Sequence, residues 1–204
     1  MSDTPPYLQP YKNAVNEYGG SFDATLWQSK EGQIARFEVF LKFVDFKNCT
    51  VLDIGCGIGD FAQFLIDRKI HFDHFHGIDA MEEMIKTAND RSIARSTFST
   101  ADIVTSLSDL PKAEWITCSG TLNAMSEELA ITVIDSVFDH CTIGLAFNFL
   151  SDMSTRDPKD ESLEPASRFN TLGLIEHALG KTPLVSFTQE YMQGHDATIV
   201  MRKH

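Results

Sequence analysis

Apolar and polar positions along the chain follow two periods, and their order predicts the elements of an α/β fold. Short apolar runs that end at a polar or glycine residue predict strands, whereas apolar positions spaced i, i+3, i+4 predict helices that pack on a sheet. The predicted strands lie at or near residues 51–54, 76–79, 96–100, 114–118, 142–150, 184–191 and 197–202. Helical spacing begins at Phe61 and at Met81, and it also covers residues 126–140 and 168–179.

Residue types that are typical of helix ends mark one boundary in each of two predicted helices. Ser126 is placed to cap the amino end of residues 126–140, because a hydroxyl there can accept a hydrogen bond from a free backbone N–H. Gly180 directly follows residues 168–179, the position at which glycine commonly ends a helix. Strands that alternate with helices imply parallel order. The last two strands, joined by a turn at 193–196, predict a hairpin that adds one antiparallel strand.

A glycine-rich turn follows the first predicted strand. Asp53 ends the apolar run, and Gly55, Gly57 and Gly59 follow at alternating positions before the helix begins. Glycines suit a turn with unusual backbone angles, and they let a ligand approach the backbone without Cβ atoms in the way. The pattern is not the dinucleotide fingerprint G-x-G-x-x-G, because Asp60 stands where the third glycine is needed. Carboxylates at Asp53 and Asp60 also disfavour a phosphate in this loop.

Two further acids follow the next two predicted strands. Asp79 lies 20 residues after Gly59, where an acid at a strand tip can accept hydrogen bonds from both hydroxyls of a ribose. Asp102 follows the third strand. Either acid alone could instead be the N-cap of a helix. Acids at three successive strand ends, counting Asp53, are more specific than any one of them.

The motif D-x-G-x-G-x-G followed by these acids resembles class I S-adenosylmethionine (SAM)-dependent methyltransferases. The resemblance implies a three-layer sandwich, with a seven-stranded, mostly parallel sheet, one antiparallel strand at the C-terminal hairpin, and helices on both faces. It implies SAM as cofactor and S-adenosylhomocysteine as product, with Asp102 bonding the adenine amino group and Ile103 offering a backbone N–H to the ring. The implied cofactor-binding residues are Asp53, Gly55, Gly57, Gly59, Asp79, Ala80, Asp102, Ile103, Ser119, Arg36 and Trp27.

Other segments are similar to a bacterial group of small class I methyltransferases. They are Tyr18-Gly19-Gly20-Ser21, Trp27, Gln33-x-x-Arg36-Phe37, the residues 118–123 and 147–151, and His195-Asp196-x-Thr198. The resemblance implies that Arg36 pairs with the SAM carboxylate, as an arginine fork does well, while Trp27 closes over the methionine or adenosine part. The alternatives are a solvated helix face for Arg36 and a core or lid anchor for Trp27.

Length predicts a single domain over residues 1–204. Residues 1–46 are expected to form a helical lid or cap, and residues 47–204 the SAM-binding sheet core. Residues 151–167 form a polar, acidic stretch and are expected to be a mobile loop near the mouth of the site.

Charge and composition restrict the partners. The formal net charge of -12 repels phosphate backbones, so no nucleic acid partner is expected. No apolar run is long enough to span a membrane, and the first residues do not resemble a signal peptide. The four cysteines are scattered, which is typical of buried thiols in a reducing, cytoplasmic compartment. The predicted partner is a small-molecule methyl acceptor; the oligomeric state stays open.

Catalysis requires little beyond positioning two substrates in a desolvated pocket. A general base is needed only where the acceptor carries a proton, and the candidates are His195, Asn148 and Tyr191. Only the imidazole titrates near neutrality without a shifted pKa. The alternative for His195 is a turn residue between two strands. The acceptor atom, N, O, S or C, stays open.

Other functions and sites compete with this prediction. The triplet of His71, His74 and His76 lacks the acids that would complete a metal site, so no metal is predicted. An NAD-dependent oxidoreductase shares the ribose acid but predicts a glycine at position 60. A SAM-binding regulator without catalytic activity is the remaining alternative.

Overall fold

A computed structural model of the chain describes residues 4–155 and 165–204. In this part of the chain eight strands form one sheet, in the order β3-β2-β1-β4-β5-β8-β7, with the short β6 paired to β5. The strands are β1 (Thr50–Ile54), β2 (His74–Asp79), β3 (Ser96–Thr100), β4 (Ala113–Cys118), β5 (Cys141–Ser151), β6 (Arg168–Phe169), β7 (Val185–Thr188) and β8 (Asp196–Arg202). The helices are α1 (Gln9–Tyr18), α2 (Lys30–Phe43), α3 (Asp60–Asp67), α4 (Glu82–Asp90), α5 (Glu127–His140) and α6 (Thr171–Lys181).

The sheet is parallel except for β8, which runs antiparallel to both of its neighbours, β5 and β7. This confirms the mostly parallel α/β sheet with an antiparallel strand in the C-terminal hairpin. Strand order reverses direction between β1 and β4. In open α/β sheets a crevice forms outside the carboxyl ends of the strands at such a point.

Helices cover both faces of the sheet, because the central strands are apolar on both sides. Val51 of β1 packs with buried residues of α2, α3 and α4. Its neighbours Leu52 and Ile54 point to the opposite face and pack with α5 and α6. The buried Phe37 and Phe40 place α2 within the first helical layer, while α1 packs on α4 through Val15 and Met84.

Several predicted boundaries are confirmed. The third strand spans Ser96–Thr100 as predicted. Ser126 caps α5 by accepting a hydrogen bond from the Leu129 N–H at 3.3 Å. These features depend on local periodicity and local hydrogen bonds, which is why the residue pattern predicted them.

The prediction for the last helix was wrong at both ends. Arg168 and Phe169 do not begin α6 but form β6, paired with the end of β5. Asn170 then caps α6 by accepting a hydrogen bond from the Gly173 N–H at 2.9 Å. Gly180 lies inside the last turn of α6, and the helix ends at Lys181. Pairing with a distant strand therefore decided where this helix begins.

The C-terminal hairpin is also shorter than predicted on one side. The strand expected at 184–191 is β7, which ends at Thr188. A 3-10 turn over Met192–Gly194 follows, closed by a hydrogen bond from the Gln189 side-chain amide to the Gly194 carbonyl oxygen at 2.7 Å. Asp196, expected in the turn, is the first residue of β8.

The polar stretch 151–167 is anchored at both described ends. Ser151 is buried at the end of β5, and the Ser167 N–H donates to the Asn123 carbonyl oxygen at 2.8 Å. The expectation of a mobile loop falls mainly on residues 156–164, which lie outside the described residues.

Candidate active site

A cavity of about 360 Å³ opens at the carboxyl edge of the sheet, within the size range of small-molecule sites. Its walls come from the glycine loop, the ends of β2 and β3, the loop after β4, the turn before β8 and the N-terminal region. Nine predicted cofactor-binding residues line it: Gly55, Gly57, Asp79, Ala80, Asp102, Ile103, Ser119, Arg36 and Trp27. The remaining two, Asp53 and Gly59, are not among the lining residues.

The three glycines of the loop have different surroundings. A Cβ at Gly57, where φ is +53°, would make ordinary van der Waals contacts with the Thr25 methyl at 3.5 Å and the Met84 sulfur at 3.9 Å, so it would meet no clash. At Gly55 a Cβ would lie 2.2 Å from the Thr121 hydroxyl oxygen, and at Gly59 it would lie 2.9 Å from the Phe98 ring. Gly57 is therefore where the missing side chain leaves room in the cavity, while Gly59 serves close packing.

The two acids that flank the glycines, Asp53 and Asp60, are not among the residues that line the cavity. Asp53 is buried beneath the loop, where the Thr117 hydroxyl donates to it at 2.6 Å. Burial raises the pKa of Asp53 to about 7; the hydrogen bond from Thr117 opposes this rise and the charge of Asp79 adds to it. The Asp60 carboxylate pairs with Arg91 at 2.7 Å and accepts from the Gln33 amide at 3.2 Å.

Asp79 joins the glycine loop to the end of β2. One of its oxygens accepts from the Gly57 N–H and the other from the Met81 N–H, each at 2.9 Å. Burial raises the pKa of Asp79, and the backbone hydrogen bonds oppose that rise. The N-cap of α4 is Met81, and its side chain makes no capping bond. Asp79 thus holds the loop against the cavity wall rather than capping α4 itself.

Asp102 is bonded by a side chain from the N-terminal region. The Tyr7 hydroxyl donates to one of its oxygens at 2.8 Å, and the Val104 N–H donates to the other at 3.0 Å. Only a 3-10 turn at Leu107–Asp109 separates β3 from β4, so the alternative of an α-helix cap was wrong for Asp102. Burial and the bond to Asp102 raise the pKa of Tyr7.

A buried charge pair stands at the other side of the cavity. Arg36 is 8% exposed, and its guanidinium pairs with the Asp196 carboxylate and stacks 4.3 Å above the Trp27 ring. The alternative of a solvated face for Arg36 was therefore wrong. The His195 Nδ1 lies 2.8 Å from the second Asp196 oxygen. Register places Asp196 opposite Leu150 at the end of β5.

These contacts divide the cavity into two ends. We call the part lined by Gly57, Asp79 and Asp102 the loop end, since it surrounds the glycine loop. The β8 end is lined by Trp27, Arg36 and His195, with Asp196 behind them at the start of β8.

The three candidate bases are placed differently. His195 lines the cavity and is 5% exposed. Asn148 is fully buried behind the loop after β4, where its oxygen accepts from the Gly120 N–H at 3.1 Å. The Tyr191 hydroxyl bonds the Thr198 hydroxyl at 2.7 Å, and burial raises the pKa of Tyr191. Asn148 and Tyr191 are not among the lining residues.

Sequence reasoning missed several residues of the cavity wall, among them Tyr7, Tyr11, Thr25, Asn123 and Met192. Burial and the nearby charge of Asp79 raise the pKa of Tyr11 to about 12. The spacing of Tyr7 and Tyr11, one helical turn apart, is a signal that could have found this pair. Thr25 and Met192 come from turns that carry no motif, whereas Asn123 ends the segment 118–123 that resembles the bacterial group.

Other groups considered from the sequence have structural partners. His74 and His76 bond the Thr97 and Ser99 hydroxyls of β3, each at 2.9 Å. Within residues 4–155 and 165–204, no group of three or more His, Cys, Asp or Glu side chains is arranged to hold a metal. All four cysteines are free and buried. Every helix in the described ranges is too short or too polar to cross a bilayer.

Residues 51–144, just under half of the chain, match the family described as "Methyltransferase domain". No curated protein matches the chain in sequence. Among solved structures, the "DhpI-SAM-HEP complex" aligns with a TM-score of 0.71 and 15% identity, covering 100% of both chains. Magnesium protoporphyrin IX methyltransferase (ChlM) from Synechocystis PCC 6803 with bound SAM aligns with a TM-score of 0.68 and 14% identity, covering 98% of this chain and 100% of that one.

A third similar structure, the small RNA methyltransferase HEN1, aligns with a TM-score of 0.67 and 16% identity, covering 83% of this chain and 25% of that one. At such identities the structural likeness concerns the fold. Together with the family match, it identifies a Rossmann-like methyltransferase fold. The fold is that of class I SAM-dependent methyltransferases, residues 51–144 match a methyltransferase domain, and the comparisons leave the methyl acceptor open.

Proposed function

We propose that the protein binds SAM in this cavity and transfers its methyl group to a small-molecule acceptor. The observation that carries the proposal is that Gly57, which leaves room for a ligand, lines the same cavity as the acids Asp79 and Asp102. A glycine in a cavity wall that also offers two hydrogen-bond acceptors fits a nucleoside that lies against the backbone.

The residues present fit SAM from end to end. Asp79 would accept hydrogen bonds from the ribose hydroxyls, and Asp102 with the Ile103 N–H would hold the adenine ring. Arg36 would bind the carboxylate of the methionine part, because a guanidinium has five N–H donors and can serve Asp196 and a second carboxylate together. Trp27 would close over the ligand beside Gly120, where a Cβ would lie 2.9 Å from its ring.

When bound, SAM supplies an electrophilic methyl group: the acceptor's nucleophilic atom bonds the methyl carbon, the carbon–sulfur bond breaks, and its electron pair stays on sulfur. The chain's own contribution is to orient the two molecules in line and to exclude water. We propose residues 1–46 as a lid over residues 47–204, since Tyr7 and Tyr11 line the cavity from the N-terminal side. Asp53 and Gly59 would support the loop from beneath.

The small-molecule acceptor rests on two observations. The cavity is partly covered by the N-terminal region, and a net charge of -12 repels a phosphate backbone. Because one similar structure is a small RNA methyltransferase, RNA is the acceptor class that a test must also address. The four free cysteines suit a reducing, cytoplasmic compartment.

Calorimetry with SAM, S-adenosylhomocysteine and NAD tests the cofactor. We expect the first two to bind and NAD not to bind; a higher affinity for NAD would refute the proposal. Gly57→Leu should abolish SAM binding because the side chain fills the cavity. Gly19→Leu is the matched control, since Gly19 has a similar φ of +63°, is exposed, and a Cβ there meets nothing within 4 Å.

Turnover separates an enzyme from a SAM-binding regulator. Release of S-adenosylhomocysteine should be measured with a panel of small phenols, amines, thiols and carboxylic acids, and with small RNA. Turnover with a small molecule but not with RNA is expected. Binding of SAM without turnover of any acceptor would favour the regulator, and turnover of RNA would replace the acceptor class.

A further inference from the structure

The side-chain amide of Asn123 is held by only one of its two polar atoms. Asn123 belongs to a 3-10 turn, Leu122–Ala124, in the loop after β4. Its Oδ1 atom accepts a hydrogen bond from the Leu150 N–H, near the end of β5, at 3.1 Å. An amide oxygen can accept this bond and an amide nitrogen cannot, so the contact fixes which end of the amide faces β5.

The other end of the amide, the Nδ2 nitrogen, carries two N–H donors. Within residues 4–155 and 165–204 this nitrogen has no hydrogen-bond partner. In the same part of the chain, the Ser21 hydroxyl oxygen is the only wholly buried side-chain nitrogen or oxygen atom without a partner, so Nδ2 must adjoin accessible space. Asn123 is only 7% exposed and lines the cavity, and that space is therefore the cavity.

Asn123 lies apart from the part of the cavity that the nucleoside of SAM is proposed to occupy. Asp79 ends β2 and Asp102 follows β3, whereas the Asn123 amide is bonded to β5. In the strand order β3-β2-β1-β4-β5, two strands separate β2 from β5. The two free N–H donors therefore suit a second molecule on the β5 side, which is where a methyl acceptor would lie beside the cofactor.

The cavity wall around Asn123 is apolar. The Ser167 N–H donates to the Asn123 carbonyl oxygen at 2.8 Å, which brings residues 165 and 166 to the same place. The cavity-lining residues joined to Asn123 by the chain or by its hydrogen bonds are Ala124, Met125, Leu150, Pro165 and Ala166. A neutral donor among such side chains cannot offset the desolvation of a carboxylate or an ammonium group, but it can satisfy an uncharged oxygen.

We propose that Asn123 binds the methyl acceptor, and that this acceptor is an uncharged molecule with an apolar body and a carbonyl oxygen. The inference rests on the proposed function and names the substrate class for it. The Asn123 NH₂ donates to the carbonyl oxygen, and the apolar residues contact the body of the molecule. Because the Leu150 N–H keeps the amide from turning over, the carbonyl group is held in one direction.

The first test compares two probes of similar size on the full wild-type chain saturated with S-adenosylhomocysteine. para-Hydroxyacetophenone has a carbonyl group, and para-ethylphenol has a CH₂ group in its place. The ¹⁵N NMR signal of the Asn123 side-chain amide, assigned by its absence in Asn123→Asp, should shift with the ketone and not with the ethyl compound. Calorimetry should show the ketone binding about 10-fold more tightly. An amide signal that does not respond to the ketone would overturn the inference.

The second test removes the donors and keeps the structural contact. Asn123→Asp retains an oxygen for the Leu150 N–H but has no NH₂ group at pH 8, where an aspartate is ordinarily ionised. Affinity for the ketone should fall by about 10-fold or more, while affinities for para-ethylphenol and S-adenosylhomocysteine stay unchanged. Asn48→Asp is the matched control, because it adds the same charge in an exposed turn before β1, and it should change none of the three affinities.

Equal losses for the two probes in Asn123→Asp would show a general disturbance of the pocket and overturn the donor role. Tighter binding of para-hydroxybenzoate or of para-hydroxybenzylamine than of the ketone would overturn the uncharged substrate class. If S-adenosylhomocysteine fails to bind, the proposed function is refuted, and the same NMR measurement without it still decides whether Asn123 binds a carbonyl group. Binding of S-adenosylhomocysteine without any response of Asn123 to the ketone would refute this inference alone.

Discussion

The loop end and the β8 end of the cavity are built from different kinds of contact. At the loop end, Asp79 and Asp102 each accept a backbone N–H only two residues further along the chain. At the β8 end, Arg36 reaches Asp196 across 160 residues of sequence, and both side chains are buried. Each loop-end acid is thus oriented in part by a local turn, with further bonds from Gly57 and Tyr7, whereas the Arg36–Asp196 pair of the β8 end forms only between remote segments.

This difference predicts different consequences of substitution. A buried ion pair that loses one partner leaves an uncompensated charge, so the fold itself is destabilised. A carboxylate in a cavity wall loses hydration when the protein folds, which is why burial raises its pKa. Its removal should therefore change ligand affinity more than the free energy of unfolding. Variants at the two ends should therefore separate stability from cofactor binding.

The largest expected effect on stability is at the β8 end. Arg36→Met should lower the free energy of unfolding by about 3–5 kcal/mol, because Asp196 then stays buried without its cation. Chemical denaturation measures this. The matched control is Arg68→Met, which removes an exposed pair with Glu38 and should lower it by about 1 kcal/mol or less. Equal losses in the two variants would contradict the comparison.

At the loop end, Asp79→Ala should weaken SAM binding by about 1.5–3 kcal/mol, the range for losing hydrogen bonds to a charged group. The change in the free energy of unfolding of this variant should be smaller than its loss of binding free energy. Calorimetry with S-adenosylhomocysteine and denaturation of the same variant measure the two quantities. Wild-type affinity would mean that Asp79 only secures the loop through Gly57 and Met81.

The buried Asp53 carboxyl beneath the glycine loop makes the free energy of unfolding depend on pH. Burial raises the pKa of Asp53 from the usual 3.8 to about 7 in the folded state, so between these two pH values the folded state holds a proton that the unfolded state has lost. The resulting stability is fully present below about pH 4 and is lost as pH rises through 7. Relative to Asp53→Asn, the wild-type protein should lose up to about 1.4 kcal/mol per pH unit in that window. Parallel stability curves for the two proteins would refute the shift.

The smallest expected effect is at Asp102. Asp102→Ala should weaken SAM binding by about 0.5–1.5 kcal/mol, because water can replace one contact to adenine. Tyr7→Phe is the control, since it removes the bond from the hydroxyl and leaves the carboxylate in place. A loss larger than that of Asp79→Ala would reverse the order proposed within the loop end.

The fold was predictable wherever short-range pattern decides structure. The alternation of strands and helices, the third strand and the Ser126 cap are properties of a few adjacent residues. The start of α6 was not predictable, because Arg168 and Phe169 have helical spacing yet pair with β5. A partner strand that lies elsewhere in the sequence can override local periodicity, because the hydrogen bonds to that strand form only when the chain folds.

The same division holds within the candidate site. By itself the sequence determined the loop end: glycines and acids at strand tips meet at one edge because parallel strands all present their carboxyl ends there. Only the tertiary structure decided that Arg36 is buried against Asp196, that Tyr7 bonds Asp102, and that Asp53 lies beneath the loop. The physical reason is that burial and charge pairing depend on distances between remote segments, which residue order does not specify.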